Sequence, residues 1–447
     1  MKICIWALLT LCMFCNECFS QQADFRYLTE DEQIERLMLD FSKSRKDILK
    51  ELSVYGLQTD SIMIEKWERD RKLECRTING EKYYFKNAVS NLFRLDPYAL
   101  KIKSVIDSSS AEDVWVRVPR ETAICMVNQK NDEGALFAPQ KFEASFTITV
   151  SSDNLIDGDT IIKCWIPAPQ PNIPRQQDVV ILSPALQLGK QKQGHSEHSS
   201  IYIEKLNDKI SEPVVFEASY SFKSYGQHYS LDYLFRYERK QDISSDLYKR
   251  YTSERDNHII FTPRVRELGD SLKDGSSDVQ TIKNIFDYIS ENIPWCSAIE
   301  YCNIDNIPMY VLQNGHGDCG QVSLLFITLC RYCGIPAKWQ SGWMLHPGAE
   351  NLHDWSEVYI KGVGWIPVDV SFGKIEHPDS NVAYFYLGGI DPYRFVVNED
   401  FSSAFSPKKL YFRSEPVDFQ RGEVETNQRN LYFNKWKYKM RVKNISL

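Results

Sequence analysis

The spacing of apolar residues changes along the chain, and each change predicts a different kind of element. Residues 24 to about 110 are charged, with apolar positions at helical intervals. Thr29 and Glu32 form a capping-box pattern, and Ile34, Leu37, Met38 and Phe41 then recur on one helix face. Trp67, Tyr83, Tyr84, Phe85, Leu92 and Phe93 supply further packing surface, and nothing in this region has the look of catalytic chemistry. From Phe142 the period becomes two. Phe142, Ala144, Phe146, Ile148 and Val150 alternate with polar residues, as in a half-buried strand. Ile161–Ile166, ended by Pro167-Ala168-Pro169, and segments 179–182, 201–203 and 216–222 read as further strands. Short strands between polar turns predict an antiparallel sandwich. The polar stretch 189–200 holds His195 and His198, which read as solvated loop residues because no acidic or cysteine partners accompany them.

Helical spacing returns after a tyrosine-rich connector at 226–257. Thr262-Pro263 signals a helix start, and Val279, Ile282, Ile285, Phe286, Ile289 and Ile293 make one face before Pro294. Val322, Leu325, Phe326, Leu329 and Cys333 then form the stripe of a buried helix, stopped by Gly334 and Pro336. Cys319 falls in its first turn, preceded by Gly315 and Gly317. Past it, His353, Trp355, Glu357 and Tyr359 share one face of a strand, and segment 365–370 returns after a glycine-bearing turn. A three-residue loop at 360–362 sets Tyr359 opposite Val363 and His353 opposite Asp369. A four-residue loop puts His353 and Asp369 on opposite faces.

Composition narrows the class. At 447 residues two or three domains are expected, and a net charge of -7 offers no basic footprint for nucleic acid. Lys2, the apolar run Ile3–Phe14 and Ser20 read as an export leader cleaved after Ser20, too short to span a membrane. Lipid attachment at Cys15 or Cys18 fits less well, because Phe14 and Glu17 stand where a small residue is wanted. Cys296 and Cys302 are open to either a short disulfide loop or two buried thiols.

The chemistry centres on Cys319, His353 and Asp369. A thiolate at a helix start meets unpaired N–H groups and the positive dipole end, which lower its pKa. Cys319 then attacks a carbonyl, His353 shuttles the proton, and Asp369 fixes the imidazole. His316 and His346 are alternative bases. The Cys319 backbone N–H and Gln313 are oxyanion candidates, and Trp343 and Trp355 are substrate-lining candidates. Cys330-x-x-Cys333 lacks the second pair of a zinc site, no loop has the acidic spacing of a calcium site, and neither metal nor cofactor is expected.

Gly317-Asp318-Cys319-Gly320, Leu325-Phe326, Gly334-Ile335-Pro336-Ala337, His353-Asp354-Trp355, Glu357-Val358-Tyr359 and Gly364-Trp365-Ile366-Pro367-Val368-Asp369 together resemble the transglutaminase-like superfamily over roughly 255–390. The resemblance implies an α+β chain: a papain-like core preceded by a β-sandwich and an N-terminal helical region. The expected division is a leader at 1–20, a helical accessory region at 21–137, the sandwich at 138–225, the catalytic domain at 226–400 and an extension packed on the core at 401–447. The resemblance implies a Cys319-His353-Asp369 triad but not the reaction, which varies across the superfamily between transamidation, peptide hydrolysis and deglycosylation of glycopeptides. The triad together with the leader makes the expected activity acyl transfer on amide bonds of peptides, proteins or glycopeptides by an exported amidase or peptidase, periplasmic or extracellular, rather than a crosslinker. A silent binding module and a protein-glutamine transamidase are the alternatives. Asp354 departs from the animal crosslinking enzymes, which usually carry Ala after the histidine. A monomer is expected.

Overall fold

The computed structural model describes residues 28–445 apart from 58, 107–112, 130–131, 183–196 and 208–211. The leader at 1–20 lies outside the described residues. Glu30–Asp40 begins on the Thr29/Glu32 capping box, and Arg45–Val54 on a second one between Ser44 and Asp47. A small hairpin, Cys75–Ile78 with Glu81–Tyr84, interrupts the helices, a break that helical spacing did not anticipate. This region has no core of its own. Phe41, Ile48, Trp67 and Leu92 are buried in one cluster with Ile285, Phe286, Leu325 and Phe326.

The sandwich is built from two stretches far apart in the chain, 136–228 and 423–445. Leu136–Val150 pairs antiparallel with Val214–His228 on one side and Trp436–Ile445 on the other. In the facing sheet Ile161–Pro167 lies between Ser200–Leu206 and Glu423–Thr426. The C-terminal stretch therefore does more than pack on the core, because its strands complete both sheets. Phe146, Trp165, Phe216, Tyr220 and Val424 fill the space between them, and Trp343 and Phe395 enter the same cluster from the neighbouring sheet. His198 is not solvated. It is buried, with Nδ1 against Asn398 Oδ1 at 2.6 Å and Nε2 accepting from the Ser403 N–H, so it ties the sandwich to the C-terminal stretch.

The remaining four-stranded antiparallel sheet carries His353 and Asp354. Its order is Gly364–Val368, Asn351–Ile360, Ala337–Met344, Arg394–Asn398. The helix Cys319–Tyr332 packs on it, flanked by Pro263–Leu272 and Asp278–Asn292, and is buried almost throughout because its apolar stripe meets the sheet and both helices. Gly334 takes φ +86° just beyond it, as a helix-ending glycine should. No helix among the described residues is long and apolar enough to cross a membrane.

Candidate active site

Asp318 caps the helix that presents the cysteine. Its carboxylate accepts the Gln321 N–H at 3.0 Å, the Gln321 side chain returns the bond, and Cys319 is the first helical residue. Tyr301 donates its hydroxyl to the same carboxylate at 2.6 Å. Cys319 forms part of the wall of a cavity of about 150 Å³ shared with Glu300, Tyr301, Asp354, Asp418 and Gln420.

The hairpin register differs from the expected one by two. Gly364 lies opposite Ile360 and Trp365 opposite Tyr359, so the loop is 361–363 and the ladder ends at Val368 and Ser356. A shift of two preserves the face. His353 and Asp369 stay on one side, beyond the end of the ladder, and His353 Nε2 meets Asp369 Oδ2 at 2.7 Å. Arg394, absent from the sequence-level reading, donates to the same oxygen at 2.7 Å and to Asp391 Oδ2 at 2.6 Å. His346 stands against Asp391, with Nε2 at 3.3 Å from its Oδ1, and does not line the cavity that Cys319 walls. The one sequence signal for Arg394 was a charged residue leading the apolar run Phe395–Val397. His316, the other alternative base, is buried and does not line the cavity.

Electrostatics separate the two halves of the site. Burial alone would raise the Asp369 carboxyl, but the His353 and Arg394 charges outweigh it and hold the group below the usual carboxylate range. Burial lowers the His353 pKa despite Asp369, with Arg394 adding to the effect. The imidazole is therefore neutral at pH 7: Nε2–H donates to Asp369, and Nδ1 makes no hydrogen bond among the described residues.

The thiol contradicts the expectation of an activated thiolate. Burial, then the Asp354 and Asp318 charges, push it well above its ordinary value, against the opposing pull of the Asp354 backbone N–H. Its S–H donates to Asp354 Oδ2 at 3.1 Å, and no hydrogen bond joins Cys319 to His353 among the described residues. The backbone explains this arrangement. Tyr359 turns its N–H toward the Ala337–Met344 side, so the N–H of Asp354, of opposite parity, points to the side where the Gly364–Val368 strand has already ended. The sulfur occupies that open edge, and His353 and Asp354 project to opposite faces of it.

The auxiliary candidates fall elsewhere. Gln313 is exposed at the end of Ile307–Asn314 and does not line the cavity, so its place as oxyanion donor is not borne out by its position. Trp355 is buried against Ile173, Ile390 and Val396, with Nε1 donating to Gln340. Trp343 packs into the sandwich core and donates to the Gln420 carbonyl. Both are packing residues because their strand faces are covered. Gln420 is the amide that does reach the site, donating to Asp354 Oδ1 at 2.7 Å and to the His353 carbonyl at 3.0 Å. All eight described cysteines are free, Cys296 and Cys302 included.

Residues 266–370 match the family model of the transglutaminase-like superfamily. The chain carries a transglutaminase-like core. A stretch of 104 residues is 27% identical to the uncharacterised protein YebA of Bacillus subtilis (strain 168), covering 20% of this chain and only 14% of that relative. Among solved structures, a candidate cysteine protease from Cytophaga hutchinsonii superimposes with a TM-score of 0.45 at 16% identity, covering 70% of this chain and 92% of that one. The periplasmic domain of TgpA from Pseudomonas aeruginosa gives 0.29 at 14% identity, covering 57% and 91%. The core match supports a thiol-dependent enzyme in general terms.

Proposed function

We propose that the transglutaminase-like core is a thiol-dependent acyl-transfer enzyme that hydrolyses amide bonds of peptide, protein or glycopeptide substrates. The observation that carries this reading is the buried His353–Asp369–Arg394 array beside the strand edge where the Cys319 thiol lies. Cys319 is the nucleophile. The neutral His353 accepts the thiol proton at Nδ1 and returns it to the leaving amine. Asp369 holds the imidazole tautomer and stabilises its charged form, while Arg394 keeps Asp369 ionised. The Cys319 backbone N–H, at the first position of a helix, is the oxyanion donor. Water then releases the acyl group. The apolar leader Ile3–Phe14 supports an exported, periplasmic or extracellular enzyme.

The test is a side-by-side screen of peptide, glycopeptide and cell-wall amides with wild type and Cys319→Ala. New amino termini or released ammonia in wild type alone support hydrolysis. Incorporation of a primary amine into a glutamine-bearing protein supports transamidation instead. One observation favours a second reading, a silent binding module: the thiol faces carboxyls rather than an imidazole. Ligand binding unaffected by Cys319→Ala, with no turnover of any amide, would establish that reading.

A further inference from the structure

The thiol makes a contact that a Cys-His-Asp mechanism does not require. Its proton points at Asp354 Oδ2. Asp354 is in turn held by Gln420 Nε2 at Oδ1 and hydrogen-bonded to the Asp418 carboxyl, which needs one shared proton. Asp418 is fixed from three sides: Ser341 Oγ at 2.6 Å, Asn398 Nδ2 at 2.9 Å and its neighbour's Phe419 N–H at 2.7 Å. All three donors meet Oδ1, and the two carboxyls hold one proton and one negative charge between them. The contact is also built into the helix. A Cβ on Gly320 would stand 2.2 Å from the Tyr301 hydroxyl and 2.9 Å from Asp354 Oδ2, so only glycine lets the helix start approach this strand.

We propose that Asp354 is a positioning residue that parks the Cys319 thiol in its protonated form, hydrogen-bonded to a carboxyl instead of to His353, until an occupant of the cavity breaks that hydrogen bond. The inference rests on Cys319 being the nucleophile. A thiolate facing a carboxyl pair that carries one negative charge is disfavoured in a low-dielectric site. The other charges around the sulfur do not offset it. Asp318 on the same helix adds negative charge, Tyr301 from the adjacent loop is neutral, and Arg421 is engaged by Glu300. On release the S–H proton passes to His353 Nδ1, the sulfur lone pair bonds to the substrate carbonyl carbon, and the imidazolium later gives that proton to the departing amine.

The experiment follows haloacetamide labelling of Cys319 against pH by peptide mass spectrometry. In the unaltered protein Cys319 should label more slowly at pH 7 than the exposed Cys125. In Asp354→Asn and Asp354→Ala, each checked for a cooperative wild-type-like melt, labelling of Cys319 at pH 7 should rise at least about tenfold, since each unit of thiol pKa changes the thiolate fraction about tenfold. The labelling curve should shift to lower pH. Unchanged or slower labelling in both variants, or Cys319 faster than Cys125 in the unaltered protein, would overturn the parking role. Turnover surviving Cys319→Ala would remove the nucleophile reading instead, a separate outcome in a separate assay.

Discussion

At the scale of single residues, Arg394 decides how the site is held. It is fully buried between Asp369 and Asp391, so its removal leaves two carboxylates without their cation. Arg394→Met should cost about 3–5 kcal/mol at neutral pH, measured by denaturant unfolding. A loss under about 1 kcal/mol would show that the pairs are dispensable. Both aspartates are held below their ordinary values, so they contribute stability above the unfolded carboxyl range and lose it as pH falls through the folded values. The deficit of Arg394→Met should therefore shrink on acidification. Glu415, at the cavity wall, has the opposite sign. Burial, with Glu300 adding, raises it from 4.5 to about 8. The folded state binds that proton more tightly than the unfolded state, so stability declines as pH rises from about 4.5 to 8. Glu415→Gln should flatten this decline, by up to roughly 5 kcal/mol. An unchanged pH–stability curve would contradict the buried, proton-holding carboxyl.

At the scale of elements, the helix Cys319–Tyr332 and the strand Asn351–Ile360 are the pair whose approach makes the site. Gly320→Ala should disturb that approach by driving Tyr301 and Asp354 away, with a fall in turnover that exceeds any change in melting temperature. Parallel losses in both would mean that the glycine serves packing only. These elements were readable in the sequence because apolar period and caps specify them locally: the stripe from Val322, the glycine after it, and the alternation from His353. The loop at 361–363 was not, because turn residues fix a hairpin only to within a residue or two. The strand ends two pairs earlier than a Tyr359–Val363 pairing implies, and this opens the edge the sulfur occupies. Asp354 and Asp418 were illegible as partners. They lie far apart in the chain, and only the C-terminal return toward the sandwich brings them together.

At the scale of the molecule, the accessory helices, the core and the C-terminal stretch are interdependent. Asp40 in the first helix accepts the Glu300 N–H and the Asn303 amide, which fixes the loop that walls the cavity. Arg36 donates to the Arg413 carbonyl at 2.8 Å. Because Phe41, Ile48 and Trp67 share a core with the helices of the transglutaminase-like domain, a chain lacking residues 28–129 should not fold cooperatively, as followed by calorimetry. A truncated chain with its own sharp transition would show instead that the region is a separable domain. Cys319 acting as nucleophile with His353 as its base predicts a covalent acyl-enzyme. Intact-mass spectrometry after exposure to an activated acyl ester tests it most directly, because such an ester needs no acid to expel its leaving group. A single acyl adduct should form on Cys319 in wild type, be absent in Cys319→Ala, and form at least about 100-fold more slowly in His353→Ala. An adduct on another cysteine, or an equal rate without His353, would contradict the account.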